Sequence, residues 1–298
     1  MLRRLRDQKE PAAKCDRRRS RMLLLVFLFA SMNMTAEIYK NVEFSQVEGI
    51  GLRLDASIPN GAGPFPAAIV VHGGGWVRGD RRIDVVPLFQ PLTDAGIAWF
   101  SIDYRLASDP LHFGIAVNDV EAAIRFVKEH ADEYRVDPGR IALVGESAGG
   151  HLASLAALNG GPSVRAVVAL YAPTNLVALA KNSGLIPAAI RDQLQGTPFE
   201  GLIMARLSQL SPIEKVRSGM PPFLLIHGTA DAIVPFEQSR AMCERMQSVG
   251  AECEVFPVPG AGHGIRRWES SPSIETPYKR EMIRWLREQL AVKPVRVL

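Results

Sequence analysis

Arg140-Ile141-Ala142-Leu143-Val144-Gly145-Glu146-Ser147-Ala148-Gly149 joins an apolar run to a pentapeptide of the form Gly-x-Ser-x-Gly. The run to Val144 reads as a buried strand, and residues 150–158 read as a helix. A serine in the tight turn between strand and helix is held in a strained conformation, with its hydroxyl pushed out over the sheet edge. Glycines at 145 and 149 leave room for the neighbouring strand and helix. The helix that follows points its first amides at whatever binds there. In an arbitrary loop the pentapeptide would mean little; its strand–turn–helix setting gives it weight.

Three further stretches repeat the pattern of a buried strand ending in a glycine-containing loop. Pro66-Ala67-Ala68-Ile69-Val70-Val71 runs into His72-Gly73-Gly74-Gly75-Trp76. Glycines let backbone approach a substrate closely, and fixed backbone N–H groups stabilise a developing oxyanion without reorganisation. The amides of Gly74, Gly75 and Ala148 are the candidate oxyanion hole. His72 comes too early in the chain to be the base and is expected to order the loop by hydrogen bonding. The other two stretches are Pro222-Phe223-Leu224-Leu225-Ile226-His227-Gly228-Thr229-Ala230-Asp231 and Gly260-Ala261-Gly262-His263-Gly264.

A serine hydroxyl needs a base to take its proton, and histidine does so near neutral pH. A buried carboxylate fixes the imidazole tautomer and stabilises the imidazolium. Ser147, Asp231 and His263 are therefore the candidate catalytic residues. The chain has six histidines. His130 falls at the end of a charged helix and His151 one turn after Ser147, where packing is expected. His227 ends a strand and is the best rival to His263, which is preferred because its loop follows the last strand. Asp231, on a strand-end loop, is preferred to Glu237 and Glu254. Glu146 reads as a salt-bridged flank.

Taken together, these four motifs resemble an α/β-hydrolase of the hormone-sensitive-lipase-like and feruloyl-esterase-like branches. The order Ser, Asp, His along the chain is the one found in that superfamily. Asp103-Tyr104-Arg105-Leu106 and Ser211-Pro212-Ile213 also resemble stretches found there. Within the group the likeness is to small esterases and deacetylases related to bacterial feruloyl esterases, and it runs from about residue 42 to 290. Glu146 departs from the lipase-like branch, which usually has Asp. The resemblance implies a serine carboxylic-ester hydrolase acting through an acyl-enzyme on short-chain, acetyl or aryl esters. An arylformamidase, a prolyl-oligopeptidase-like hydrolase and a non-catalytic protein on a hydrolase scaffold are the alternatives. A large domain restricting access, usual in the peptidases, would need more length. Loss of a triad residue, usual in the non-catalytic proteins, is not seen.

The rest of the chain fits an α/β fold. Short apolar runs at 67–71, 98–102, 141–144, 166–170, 223–226 and 253–258 suit strands buried on both faces, with two entering strands at 42–46 and 52–58. Residues 118–129 carry Val120, Ala123, Ile124 and Val127 on one helical face. Asp137-Pro138-Gly139 reads as a turn, and Thr276-Pro277 as the cap and first residue of the last helix. Alternating strands and helices mean a mostly parallel sheet with helices on both faces.

Residues 175–217 break the alternation and read as a small helical lid. There Leu176, Leu179, Ile186, Ile190, Leu194, Leu202, Ile203 and Leu207 either line an acyl or alcohol pocket or pack the lid onto the body. Trp76 is equally a pocket wall or a core aromatic.

The 298 residues, 47% apolar, suit one α/β domain over 37–298. The net charge of +4 is misleading. Residues 1–36 hold nine Lys/Arg against three Asp/Glu, net +6, so the remainder carries −2. That removes the case for nucleic-acid binding, which needs a basic face on the folded domain. Arg17-Arg18-Arg19-Ser20-Arg21 followed by nine apolar residues reads as a secretory signal, cleaved near Ala30 or Ala36, with a cytoplasmic leader as the alternative. The apolar run is too short to span a bilayer. No metal-ligand spacing and no nucleotide fingerprint occurs, so no cofactor is expected. The expected partner is a small-molecule or carbohydrate-linked ester. Pairing of Cys243 with Cys253 is left open by the sequence, as is the oligomeric state.

Overall fold

A computed structural model describes residues 36–108, 113–182 and 196–291. The eight expected strands all form: β1 (Glu37–Val47), β2 (Ile50–Ile58), β3 (Phe65–Val71), β4 (Ala98–Ile102), β5 (Val136–Glu146), β6 (Ala166–Leu170), β7 (Phe223–Gly228) and β8 (Cys253–Val258). They make one sheet in the order β1-β2-β4-β3-β5-β6-β7-β8. β1 and β2 pair antiparallel and β2 meets β4 antiparallel; every other pairing is parallel. The strand order reverses at β3, which lies between β4 and β5. A crevice at the carboxyl ends of the strands where the order reverses is where open α/β sheets bind ligands. Val71 pairs with Gly145, so the glycine loop after β3 and the serine turn after β5 leave the sheet side by side at that crevice.

The period of two along β3 sorts its side chains onto two cores. Ala67, Ile69 and Val71 join one cluster, and Ala68 and Val70 the other. Helices α2 (Ala116–Glu129), α3 (Ala148–Leu158) and α6 (Glu237–Gln247) pack on the first face, through residues such as Val120, Leu152 and Met242. Helices α1 (Val86–Asp94), α7 (Ile265–Trp268) and α8 (Pro272–Leu290) cover the second, through Leu88, Trp268 and Trp285. Cys243 of α6 and Cys253 of β8 form a disulfide with Cα atoms 5.3 Å apart, tying that helix to the edge of the sheet. No helix among the described residues is long and apolar enough to cross a membrane.

Two sequence expectations need correction. The last helix starts at Pro272, with Ser271 at the N-cap position in an extended conformation but making no side-chain cap bond, and Pro277 lies inside it. Ser271-Pro272 offers the same cap chemistry as Thr276-Pro277, and the earlier pair starts the helix. Pro277, inside the helix, removes one backbone hydrogen bond and crowds the carbonyl four residues earlier. Asp137-Pro138-Gly139 lies within β5, not before it. There Phe65 pairs with Val136 but Ala67 with Ile141, and Gly139 N–H donates to Asp137 Oδ1 at 2.8 Å. The turn is a bulge in the strand.

Residues 175–217 show, in their described part, the packing role that the sequence allowed. They form α4 (Leu176–Asn182), α5 (Pro198–Gln209) and a 3₁₀ turn (Pro212–Lys215), while Ile186, Ile190 and Leu194 lie outside the described residues. Leu176, Leu179 and Leu207 are buried in the first core and Ile203 packs against it. Leu202 is exposed. Leu176, Leu179, Ile203 and Leu207 thus pack this segment onto the body.

Trp76 is likewise core. Its Nε1–H donates to His151 Nδ1 at 3.1 Å, and His151 Nε2 donates to the Leu210 carbonyl at 2.8 Å. Burial pushes the His151 imidazole down to about 4, so it is neutral at pH 7. The unfolded chain binds that proton near pH 6.5, so between there and about pH 4 the unfolded state holds more protons. The contribution to stability is full above that window and is lost as pH falls through it, by at most about 1.4 kcal/mol per unit. Urea unfolding of the wild type should therefore weaken from pH 7 to pH 5 more steeply than that of His151→Gln. Equal slopes would mean that His151 does not titrate this way.

Candidate active site

The serine turn is as strained as its sequence implies. Ser147 has φ 51° and ψ −121°, in a region L-residues seldom occupy. It persists because its surroundings hold it: Ser147 N–H donates to the Leu170 carbonyl at 2.9 Å, and helix α3 begins at the next residue. The two flanking glycines are required by contact. A Cβ on Gly149 would press into the carbonyl oxygens of Val71 and His72, and one on Gly145 into the backbone of Gly149. These neighbours are main chain and cannot rotate away. Gly149→Ala is expected to cost about 3 kcal/mol, read from the denaturant midpoint; an unchanged midpoint would refute the close approach.

Asp231 and His263 leave the sheet after β7 and β8 and converge on this turn. His263 Nδ1 lies 2.7 Å from Asp231 Oδ2, and His263 Nε2 lies 2.9 Å from Ser147 Oγ. The Asp231 carboxylate is fully buried, and Oδ1 accepts from the Ile233 and Val234 amides, both at 2.9 Å. Burial alone would raise its pKa. Hydrogen bonding to His227, His263 and the Val234 amide outweighs burial and holds the carboxyl well below the usual carboxylate range. Asp231 is thus ionised wherever the protein is folded near neutral pH.

The rival histidines occupy other places. His227 is buried, its Nε2 donating to the Val234 carbonyl at 2.8 Å and its Nδ1 accepting from the Ser239 hydroxyl at 2.7 Å. Its Nε2 also lies 3.5 Å from Asp231 Oδ2, so two histidines flank one carboxylate. The Nε2 proton is directed mainly to the Val234 carbonyl, with the Asp231 carboxylate as the longer, weaker second acceptor. His72 bonds the Gly73 carbonyl through Nδ1 at 2.8 Å and stacks on Tyr104 at 4.4 Å. His130 caps α2 and bonds the Phe126 carbonyl at 2.9 Å. His112 lies outside the described residues. Of the rival acids, Glu254 accepts from the Trp285 indole, and Glu237 opens α6.

Glu146, expected as a salt-bridged flank, has no ion-pair partner among the described residues. It is buried, and its Oε1 accepts the Gly73 amide at 2.6 Å. Burial raises its carboxyl above the ordinary range, against hydrogen bonds from Tyr171 and Gly73 that favour the ionised form. The longer Glu side chain lets the residue before the serine reach across to the glycine loop and tie it down.

Two residues to which the sequence assigned no role, Tyr104 in a family-like stretch and the unremarked Tyr171, complete this scaffold. The Tyr104 hydroxyl donates toward the His72 and Gly73 carbonyls, each at 3.2 Å. Tyr171 follows β6 directly with φ 38°, accepts the Ile265 amide at 2.8 Å and meets the His263 ring edge-on at 4.7 Å. The signal for Tyr171 was its place at the carboxyl end of the strand beside β5. The remaining family-like stretches are structural. Arg81 holds Asp103, Arg105 holds Asp119, and Ser211 Oγ accepts the Leu176 amide.

Gly74, Gly75, Ser147 and His263 line one cavity of about 470 Å³, together with Ile233, Ile265, Asp84, Glu146 and three arginines. Gly74 and Gly75 have φ 111° and 63°.

Comparison with known proteins points one way. The BD-FAE family model matches residues 54–246. Esterase LipC of Mycobacterium tuberculosis is 34% identical over 219 residues, covering 68% of this chain and 53% of LipC. A truncated carbohydrate esterase from gut microbiota superposes with a TM-score of 0.71 at 27% identity, covering 85% of this chain and 96% of that one. Thermogutta terrifontis esterase 2 phosphorylated by paraoxon superposes at 0.68 and 27% identity, covering 87% and 96%. The chain spans about half the length of the curated relatives it matches.

Proposed function

The chain belongs to the BD-FAE family and has the α/β-hydrolase fold, and from that premise we propose that it is a serine carboxylic-ester hydrolase. The observation that carries the reading is the line of contacts from Ser147 Oγ through the His263 ring to the buried Asp231 carboxylate. His263 Nε2 takes the hydroxyl proton as Ser147 Oγ attacks the ester carbonyl carbon. Asp231 holds Nδ1–H, keeping the proton-accepting nitrogen toward the serine and stabilising the imidazolium.

The Gly74, Gly75 and Ala148 amides receive the oxyanion, a role supported by the two glycines lining the same cavity as Ser147. Collapse of the tetrahedral intermediate breaks the bond to the alcohol oxygen, which leaves with the proton from His263. Water then enters, His263 takes its proton, and the acyl group departs as the carboxylic acid with Ser147 restored. Short-chain, acetyl and aryl esters, including carbohydrate-linked ones, are the proposed substrates. The names of the gut carbohydrate esterase and LipC support that class.

Purified protein is tested on p-nitrophenyl esters of increasing acyl length and is incubated in parallel with paraoxon. Turnover, and a diethylphosphoryl mass on the peptide holding Ser147, are expected. Neither turnover nor adduct would overturn the reading. An adduct with turnover only on formamides would move it to amide hydrolysis.

Export is part of the proposal. It is supported by the basic and apolar runs at 17–30, which lie outside the described residues, and by the disulfide, which suits an oxidising compartment. Full-length protein found only in the cytoplasm of the source cell would refute it.

A further inference from the structure

Three arginines, Arg78, Arg266 and Arg267, line the cavity that holds Ser147, and all three are exposed. They come from two separate segments: Arg78 from the loop following the glycine stretch after β3, and Arg266 and Arg267 from the short helix α7 that follows His263. Their charge is poorly neutralised. Arg81, Arg82, Arg105, Arg140 and Arg284 each hold a carboxylate at 2.6–2.8 Å. Among the described residues Arg78 and Arg267 hold none, and Arg266 has a single 3.8 Å contact with Asp84. The lining carboxylates are Asp84 and the buried Glu146, which is committed to the Gly73 amide. The positive charges in the lining therefore outnumber the negative ones. This stands out on a folded part whose net charge is −2 over residues 37–298.

A cleft with low-dielectric walls and one dominant sign of charge concentrates ligands of the opposite sign. Guanidinium groups add geometry, because their paired N–H donors match a carboxylate or phosphate.

We propose that the ester hydrolysed at Ser147 carries a second, anionic group, a carboxylate or a phosphate-like anion, held by Arg78 and Arg267 at the mouth of the cavity. This rests on the esterase reading and narrows its substrate class. The anion can belong to the acyl part or to the alcohol part, and one set of substrates separates the two. Mono-p-nitrophenyl adipate is compared with p-nitrophenyl hexanoate for the acyl side. Para-acetoxybenzoate is compared with para-acetoxybenzamide for the alcohol side.

In at least one pair the anionic ester should have the higher kcat/KM, by about fivefold at low ionic strength, the worth of one exposed ion pair near 1 kcal/mol. The anionic-to-neutral ratio should fall toward one in about 0.5 M NaCl, where charges are screened within a few ångströms. It should fall likewise in Arg78→Gln/Arg267→Gln, and the salt series decides without that variant if it folds poorly. Turnover of the neutral esters as fast as the anionic ones in both pairs overturns this proposal and leaves the esterase standing. Absence of turnover on all four overturns the esterase reading instead. In that event calorimetry on Ser147→Ala still decides the anion: tighter binding of the adipate ester than of the hexanoate supports it, and equal or weaker binding overturns it.

Discussion

Ser147→Ala is expected to lower kcat on a short-chain p-nitrophenyl ester by about 10⁶-fold while leaving the fold intact. The size follows from what is removed. No other hydroxyl stands 2.9 Å from His263 Nε2 among the described residues, so no covalent intermediate can form. What remains is water attack aided by the oxyanion donors, worth roughly 10³–10⁴ over the uncatalysed reaction. The fold should tolerate the change because alanine keeps the Cβ and the backbone hydrogen bond to Leu170. The strained conformation at 147 is imposed by the packing of β5, β3 and α3, not by the hydroxyl. Steady-state kinetics and urea unfolding on the same preparation check both halves. Wild-type turnover in the variant would remove Ser147 from the mechanism.

Asp231→Asn should lower kcat by roughly 10⁴ with nearly the same structure. Hydrogen-bond bookkeeping gives the reason. The Oδ1 position accepts two backbone amides, from Ile233 and Val234, so the asparagine oxygen must take that place. The NH₂ then falls where Oδ2 was, facing His263 Nδ1 at 2.7 Å and His227 Nε2 at 3.5 Å. An N–H opposite Nδ1 makes that nitrogen an acceptor and puts the His263 proton on Nε2, pointing at Ser147. The base is blocked by its own tautomer. His227, which donates to the Val234 carbonyl, must also tolerate a second donor nearby, so a modest loss of stability accompanies the loss of rate. Single-turnover kinetics should show slow acylation. Unchanged acylation would mean that Asp231 does not set the His263 tautomer.

The strands and their loops were legible in the sequence because their signals are local. A parallel strand buried on both faces is an uninterrupted apolar run, and the runs at 67–71, 98–102, 141–144, 166–170 and 223–226 became such strands. By contrast β8, expected to be buried on both faces, lies at the sheet edge and is buried only at its two ends. The serine turn was legible because only glycine fits where main chains nearly touch, as at Gly149. Where two local signals competed, sequence was a poor guide. Ser271-Pro272 and Thr276-Pro277 have equal claims to start the last helix, and the structure uses the first.

Other distinctions are invisible locally because they depend on which elements become neighbours. His227 and His263 both end in reach of Asp231. The first is locked under the β7 loop by Val234 and Ser239, and the second faces Ser147. Glu146 looked like a surface ion-pair partner, and only the approach of the glycine loop explains its burial. The leucines of 175–217 suited a pocket wall or a packing face equally well, and tertiary structure puts Leu176, Leu179 and Leu207 in the core. Arg78 is far in sequence from Arg266 and Arg267, and the three became one charged rim when the glycine loop and α7 met beside the serine. By itself, then, the sequence determined the strand set, the serine turn and the residue types available for chemistry, since these follow from local sterics and periodicity. Tertiary structure alone decided which histidine faces the serine, what Glu146 holds and what charge surrounds the site, since these are properties of juxtaposed elements.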